Sequence, residues 1–160
     1  MVQFAIARDF KGMPFYFNLT KPVGRGYPNA PADDVSLLQF CFAAGATSKQ
    51  PPPPEILTAW SKVTVSGRTD DATLASIDAW QRFRRKRFGP SVEVDGIVSV
   101  VRTESGLYGG AQGPSYDIVH LNFMMLFGIA SIWPRIDKDP RCSALLGAAI
   151  RQALGGHLTP

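Results

Sequence analysis

Apolar and polar positions follow two periods along this chain. From Val2 to Leu19 the alternation is short, with Phe4, Ile6, Phe15 and Phe17 on either side of Lys11-Gly12, which predicts a β-hairpin packed on whatever follows. From Asp33 the period lengthens. Val35, Leu38, Gln39 and Phe42 recur at helical spacing, with Asp33 or Asp34 as the expected cap and Gly45 as the expected end. The strongest pattern runs from Val65 to Val100. Ser66-Gly67 predicts a tight bend, Thr69 or Asp70 a helix cap, and Asp71 an acid favoured by the helix dipole. At about 100° per residue, Leu74, Ile77, Trp80, Gln81 and Phe88 then share one arc, which should face the core, while Asp78 and Arg82 face away.

Between these elements the chain is punctuated by turn formers. Lys21 to Ala32 reads as a loop, and Thr47 to Glu55, carrying Pro51 to Pro54, as an extended spacer. A short helical turn is expected around Trp60. Glu104 to Pro114 is glycine-rich and loop-like, and Ser115 is the expected cap of a helix holding Ile118, Leu121, Asn122 and Met125. The apolar run from Ile118 to Trp133 contains His120, Asn122 and Ser131 and is too short and too polar to span a bilayer. A last helix is expected from Asp139 as cap and Pro140 at its first position, through Leu145, Leu146, Ala149, Ile150 and Leu154, to Gly155-Gly156.

Length and composition narrow the class. A chain of 160 residues can bury one good core, or a small domain with substantial additions. Hydrophobic content of 45% against 19% charged residues describes a globular chain, and 15 Gly with 13 Pro predict much loop. The net charge of +4 favours anionic partners without choosing among cell-wall polymer, nucleic acid and lipid. Asp9 and Lys11 interrupt the apolar start, so no secretory leader is read. Synthesis in the cytoplasm is expected, with a non-classical route to the periplasm or cell wall left open. Cys41 and Cys142 stand apart and are expected to be reduced and unpaired.

Catalytic chemistry finds little support. His120 and His157 lie far apart and form none of the HxH, HxxE or HExxH spacings of zinc enzymes. Glycan cleavage needs two placed carboxylates, whereas Glu55, Glu93 and Glu104 are scattered and the aspartates occupy turns and caps. Cys142 follows Arg141 but has no base beside it in sequence. Neither GxSxG nor a phosphate loop is present. We expect no enzyme, no metal and no cofactor. Arg82, Arg84, Arg85, Lys86 and Arg87 crowd the end of the central helix, where cations complement the dipole; the alternative is an anion-binding patch.

In order along the chain stand Leu38-Gln39, Gly67, Thr73, Ile77, Trp80-Gln81 and Asp95-Gly96-Ile97-Val98. This series resembles the peptidoglycan-binding domains of the small three-helix type, over Asp33 to about Val101. Two departures are an insertion with Pro51 to Pro54 before the glycine turn, and Ser99 where the family usually has a second glycine. The resemblance implies a three-helix core over 33–101; with the N-terminal hairpin and loop over 1–32 and the C-terminal helical extension over 102–160 read from the patterns above, the expected fold is mainly α and one domain. It also implies non-catalytic binding of bacterial cell-wall peptidoglycan or its fragments. The rival is an adaptor or structural component of a phage or secretion machine, with a protein partner and no glycan site. Neither a membrane span nor nucleic acid is expected. Leu38 and Trp80 should meet in the core, and Gln39 and Gln81 should bond loop backbone. The turns flanking the central helix should approach each other, giving a polar rim of Arg68, Thr69, Asp70, Asp95 and Gly96 as the ligand surface. In that rim Arg68 would take a carboxylate bidentately.

Overall fold

The computed structural model describes residues 1–6, 13, 15–102 and 116–155. In these the chain is mainly helical, with two small antiparallel strand pairs. Strand β1 (Gln3–Ile6) pairs with β2 (Phe15–Asn18), Phe4 opposite Phe17. This is the hairpin the alternation predicts; its Lys11-Gly12 turn lies outside the described residues. Strand β3 (Val23–Gly24) follows, then helices α1 (Ala32–Ala46), α2 (Pro54–Trp60) and α3 (Asp71–Phe88). Strand β4 (Ile97–Val98) returns to β3, and α4 (Asp117–Gly128) and α5 (Ala144–Gly155) complete the chain. The expected loop over Glu104 to Pro114, its Ser115 cap and the terminal Gly156 are outside the described residues.

One cluster of buried apolar side chains draws on every helix and on the hairpin. Leu38 and Trp80 are both buried in it. Its centre is aromatic: the Trp60 ring lies 5.0 Å from Phe42 and 5.6 Å from Trp80. Trp60 also explains Gly45, expected to end α1 but lying just inside it. A Cβ at Gly45 would come within 2.5 Å of the Trp60 ring. Gly45 is needed for close packing, and α1 stops one residue later.

Two expected caps are corrected. Asp33 and Asp34 lie within the first turn of α1, whose N-cap is Pro31, and both carboxylates reach outward to other backbone. Asp33 accepts the Val2 N–H at 2.6 Å; buried Asp34 accepts the Thr20 N–H and hydroxyl and the Lys21 N–H. Their oxygens satisfy donors that the strand ladder leaves over, so they serve the junction of hairpin and α1. At the other end Asp139 does not cap α5. Its carboxylate is held by Arg141, and the Ser143 hydroxyl accepts the Leu146 N–H at 3.2 Å. A serine three residues before the bonded N–H has the ordinary capping geometry, so α5 begins later than Pro140 suggests. Within α5, Leu146, Ala149, Ile150 and Leu154 are buried, whereas Leu145 is exposed.

Among the described residues no helix is long and apolar enough to cross a membrane.

Candidate functional site

The residues singled out by sequence lie on two turns, each held by a buried glutamine. On α1, Gln39 points its carbonyl oxygen at the N–H groups of Ser66 and Gly67, both at 2.9 Å. Its amide nitrogen donates to the Arg68 carbonyl and the Thr73 hydroxyl, also at 2.9 Å. On α3, Gln81 repeats the motif. Its carbonyl oxygen accepts the Gly96 N–H at 2.8 Å, and its nitrogen donates to the Ile97 carbonyl at 2.9 Å. Each glutamine is fully buried, where an unpaired amide would be costly, and each replaces the backbone partners that an isolated turn lacks. The expectation that both bond loop backbone holds.

Both turns need glycine. Gly67 has φ +73° and Gly96 φ +76°, a region that opposes a Cβ. The second turn has a further neighbour: a Cβ at Gly24 would lie 2.1 Å from the Gly96 carbonyl oxygen, so the two backbones meet where only glycine fits. There the Arg25 N–H donates to that carbonyl at 2.9 Å, which ties the loop after β3 to the second turn.

The candidate rim divides accordingly. Arg68, Thr69 and Asp70 stand beside the first turn of α3. Asp95 and Gly96 stand beside Gln81, eight residues further along α3 than Thr73, or about 12 Å at 1.5 Å per residue. Among the described residues no hydrogen bond or ion pair joins the two groups. Arg68 is exposed and forms no ion pair among the described residues. The Thr69 hydroxyl is buried without a hydrogen-bond partner among the described residues. Asp70 caps α3, one oxygen accepting the Thr73 N–H at 2.8 Å and the Thr73 hydroxyl at 2.6 Å. Asp95 also carries a structural bond, accepting the Ile97 N–H at 2.9 Å, while Gly96 is buried.

The arginine run separates into two kinds of residue. Arg84 is buried and meets Asp117 of α4 at 2.5 Å, and the other Asp117 oxygen lies 3.1 Å from the Gln81 amide nitrogen. Burial pushes the Asp117 carboxyl above its ordinary range, while the Arg84 guanidinium and then the Gln81 amide pull against that shift. Arg82, Arg85, Lys86 and Arg87 are exposed. Arg85, Lys86 and Arg87 occupy the last turn of α3, and Arg82 lies 3.4 Å from Asp78 one turn back. Sequence reasoning grouped all five cations together. The helical arc would have separated Arg84, which lies four residues from Trp80 and three from Gln81.

Missed as well were the buried asparagines. Asn122 of α4 exchanges hydrogen bonds with the Phe17 backbone at 2.7 and 2.8 Å, and Asn18 does the same with Val101 at 3.1 and 2.9 Å. An Asn inside an apolar helical run is the signal that could have marked the first of these.

The thiols are unsuited to nucleophilic work. Both are free; Cys41 is buried, which pushes its pKa up. Burial, then the Asp137 and Asp139 carboxylates, push Cys142 up to about 11, so it is a protonated thiol at neutral pH. His120 is half-buried beside the rings of Trp80 and Phe88, at 6.1 and 5.3 Å. His157 lies outside the described residues.

Neither protein-family models, curated proteins nor solved structures yield a match to this chain.

Proposed function

We propose that this chain is a non-catalytic module that recognises bacterial cell-wall peptidoglycan, built on the three-helix peptidoglycan-binding plan with a hairpin before it and a helical extension after it. The observation that carries the reading is the pair of glutamine-held glycine turns, Gln39 with Ser66-Gly67 and Gln81 with Asp95-Gly96. They fall on the residues that carry the family resemblance. The polar, shallow surface around them offers Arg68 and one free oxygen face of Asp95 to a ligand of hydroxyls, amides and carboxylates. Of the rim, Arg68 is the residue we assign to a stem-peptide carboxylate.

A second reading has its own support. Phe127 of α4 is 73% exposed and stacks on Phe123 at 6.2 Å, an apolar surface on the extension rather than on the module. On this reading the chain is an adaptor in a phage or secretion assembly. Adsorption of the purified chain to sacculi at low and moderate salt separates the readings. Glycan recognition persists at moderate salt, adhesion through Arg82, Arg85 and Arg87 fades as screening shortens, and an adaptor stays in solution at both. Adsorption lost with Arg68→Ala and kept with Arg85 and Arg87 both changed to Ala supports the rim. The reverse result assigns binding to the helix end. Absence of adsorption at either salt overturns the glycan reading.

A further inference from the structure

The loop between β2 and α1 borders an open pocket of about 240 Å³, lined by Lys21, Pro22, Gly26, Tyr27, Pro28, Asn29 and Ala30. It lies outside the segment that resembles the peptidoglycan-binding family. We propose that this pocket binds the free carboxylate end of a short peptide, with Lys21 as the counter-charge, Asn29 and Tyr27 as partners of the last peptide group, and the rings of Tyr27, Pro22 and Pro28 against its side chain.

The frame is fixed before any ligand arrives. Its first end is held where the Lys21 N–H donates to Asp34, and its middle where Val23 pairs with Val98 and the Arg25 N–H meets the Gly96 carbonyl. Two consecutive turns follow, the Tyr27 N–H to the Gly24 carbonyl at 3.1 Å and the Ala30 N–H to the Tyr27 carbonyl at 3.2 Å. With prolines at 22, 28 and 31 little backbone entropy remains to lose on binding.

Among the described residues Lys21 forms no ion pair, and the side chains of Tyr27 and Asn29 form no hydrogen bond. Asp34, which accepts the Lys21 N–H, is buried and already takes three donors from Thr20 and Lys21. Tyr27 is 40% exposed, one of few large apolar side chains left so open among the described residues. One cation matches one carboxylate. A phosphate would carry nearly two charges and calls for an arginine fork, and no arginine lines this pocket. The volume is below the roughly 300–1,000 Å³ of drug-sized sites and suits a terminal residue and the amide before it, with any preceding chain left in solvent.

The test titrates the full chain, followed by amide NMR shifts, with N-acetyl-alanyl-alanine in its L and D series, each as free acid and as C-terminal amide. We expect saturable shifts centred on Lys21 to Ala30 with a Kd of about 1 mM for the free acid, at least about five-fold weaker for the amide. Lys21→Gln should erase the difference between acid and amide, and Tyr27→Ala should weaken both; each side chain is exposed, so neither variant threatens the fold. Preference for the D series assigns a wall peptide, preference for the L series a protein C-terminus, and equal affinity a site for either source. Equal binding of acid and amide overturns the proposal. So do shifts centred on Arg82, Arg85 and Arg87, or an absence of shifts to about 10 mM, a level that a Kd of 1 mM would nearly saturate. Sacculus adsorption by the wild-type chain is scored separately, so failure here leaves that reading standing, and the converse.

Discussion

The two glutamine-held turns use one device to different ends. At the first, the side-chain hydrogen bonds of Gln39 all end between Ser66 and Thr73, and the Thr73 hydroxyl it bonds donates in turn to the cap Asp70. That turn closes within the helices of the module. At the second, Gln81 touches Gly96 and Ile97 but also Asp117, and through Asp117 the buried Arg84. The second turn is therefore built jointly by α3 and α4. One glutamine fixes a local bend; its counterpart also fastens the C-terminal extension to the module.

Cutting that fastening should have the largest effect. Asp117→Ala leaves the Arg84 guanidinium buried without its carboxylate, and we expect a loss of about 3 to 5 kcal/mol in chemical denaturation. Arg84→Met combined with Asp117→Leu should recover most of this, because two apolar side chains of similar size need no counter-charge. If the double variant is as unstable as the single one, the pair is not the source of the loss. Gln39→Ala comes next: it strands the buried Gly67 N–H and that of Ser66, for about 2 to 4 kcal/mol. By contrast with Asp117→Ala, hydrogen exchange in α4 should stay near wild type, since no bond from Gln39 leaves the module.

Much of this difference was hidden in the sequence for a definite reason. Helical periodicity places Ile77, Trp80 and Gln81 on one face, and the glycines at 67 and 96 mark bends, so α3, its Asp70 cap and both turns were legible. Partnership across long separations was not. Arg84 lies 33 residues from Asp117, and Asn122 lies 105 from Phe17; the helical arc sets Arg84 apart from Arg82 and Arg85, but nothing local names the carboxylate it meets. Asp33 and Asp34 failed in the same way, since their positions suit a cap and only the fold shows that Val2, Thr20 and Lys21 claim them. The separation of the two turns was not legible either, because it depends on where along α3 each glutamine sits.

The glycines sharpen the comparison at an intermediate scale. Both have positive φ, so either replacement by Ala costs about 1 to 2 kcal/mol from the backbone alone. At Gly67 the new Cβ would also lie 3.0 Å from the Ala32 carbonyl oxygen and 3.1 Å from the Ser36 hydroxyl, atoms of a packed helix. At Gly96 its neighbours are Arg25 side-chain atoms at 3.5 Å, an ordinary contact that a flexible chain can relax. Gly67→Ala should therefore be the more destabilising by about 1 kcal/mol, the scale of mild overpacking. Equal losses would show that the first turn yields as readily as the second.

The smallest effects decide what the two aspartates do. Asp70 accepts from the Thr73 N–H at the N-terminus of α3, the role that serine fills nearly as well, so Asp70→Ala should cost about 1 kcal/mol and Asp70→Ser only a few tenths. Asp95 accepts the Ile97 N–H through Oδ1, 3.1 Å from the Gln81 amide nitrogen, and the Asn carbonyl oxygen can accept both. Asp95→Asn should then preserve stability to within about 0.5 kcal/mol, as for substitutions that keep their bonds. These two near-silent variants remove one carboxylate from each turn while leaving the folded frame in place. Measured side by side for adsorption to sacculi, Asp70→Ser should bind as the wild type does, because its carboxylate serves the cap, whereas Asp95→Asn should weaken binding if the second oxygen faces ligand. A loss confined to Asp70→Ser would confine the binding surface to the first turn, where Arg68 stands, and leave the second turn with the structural task of joining α4 to α3.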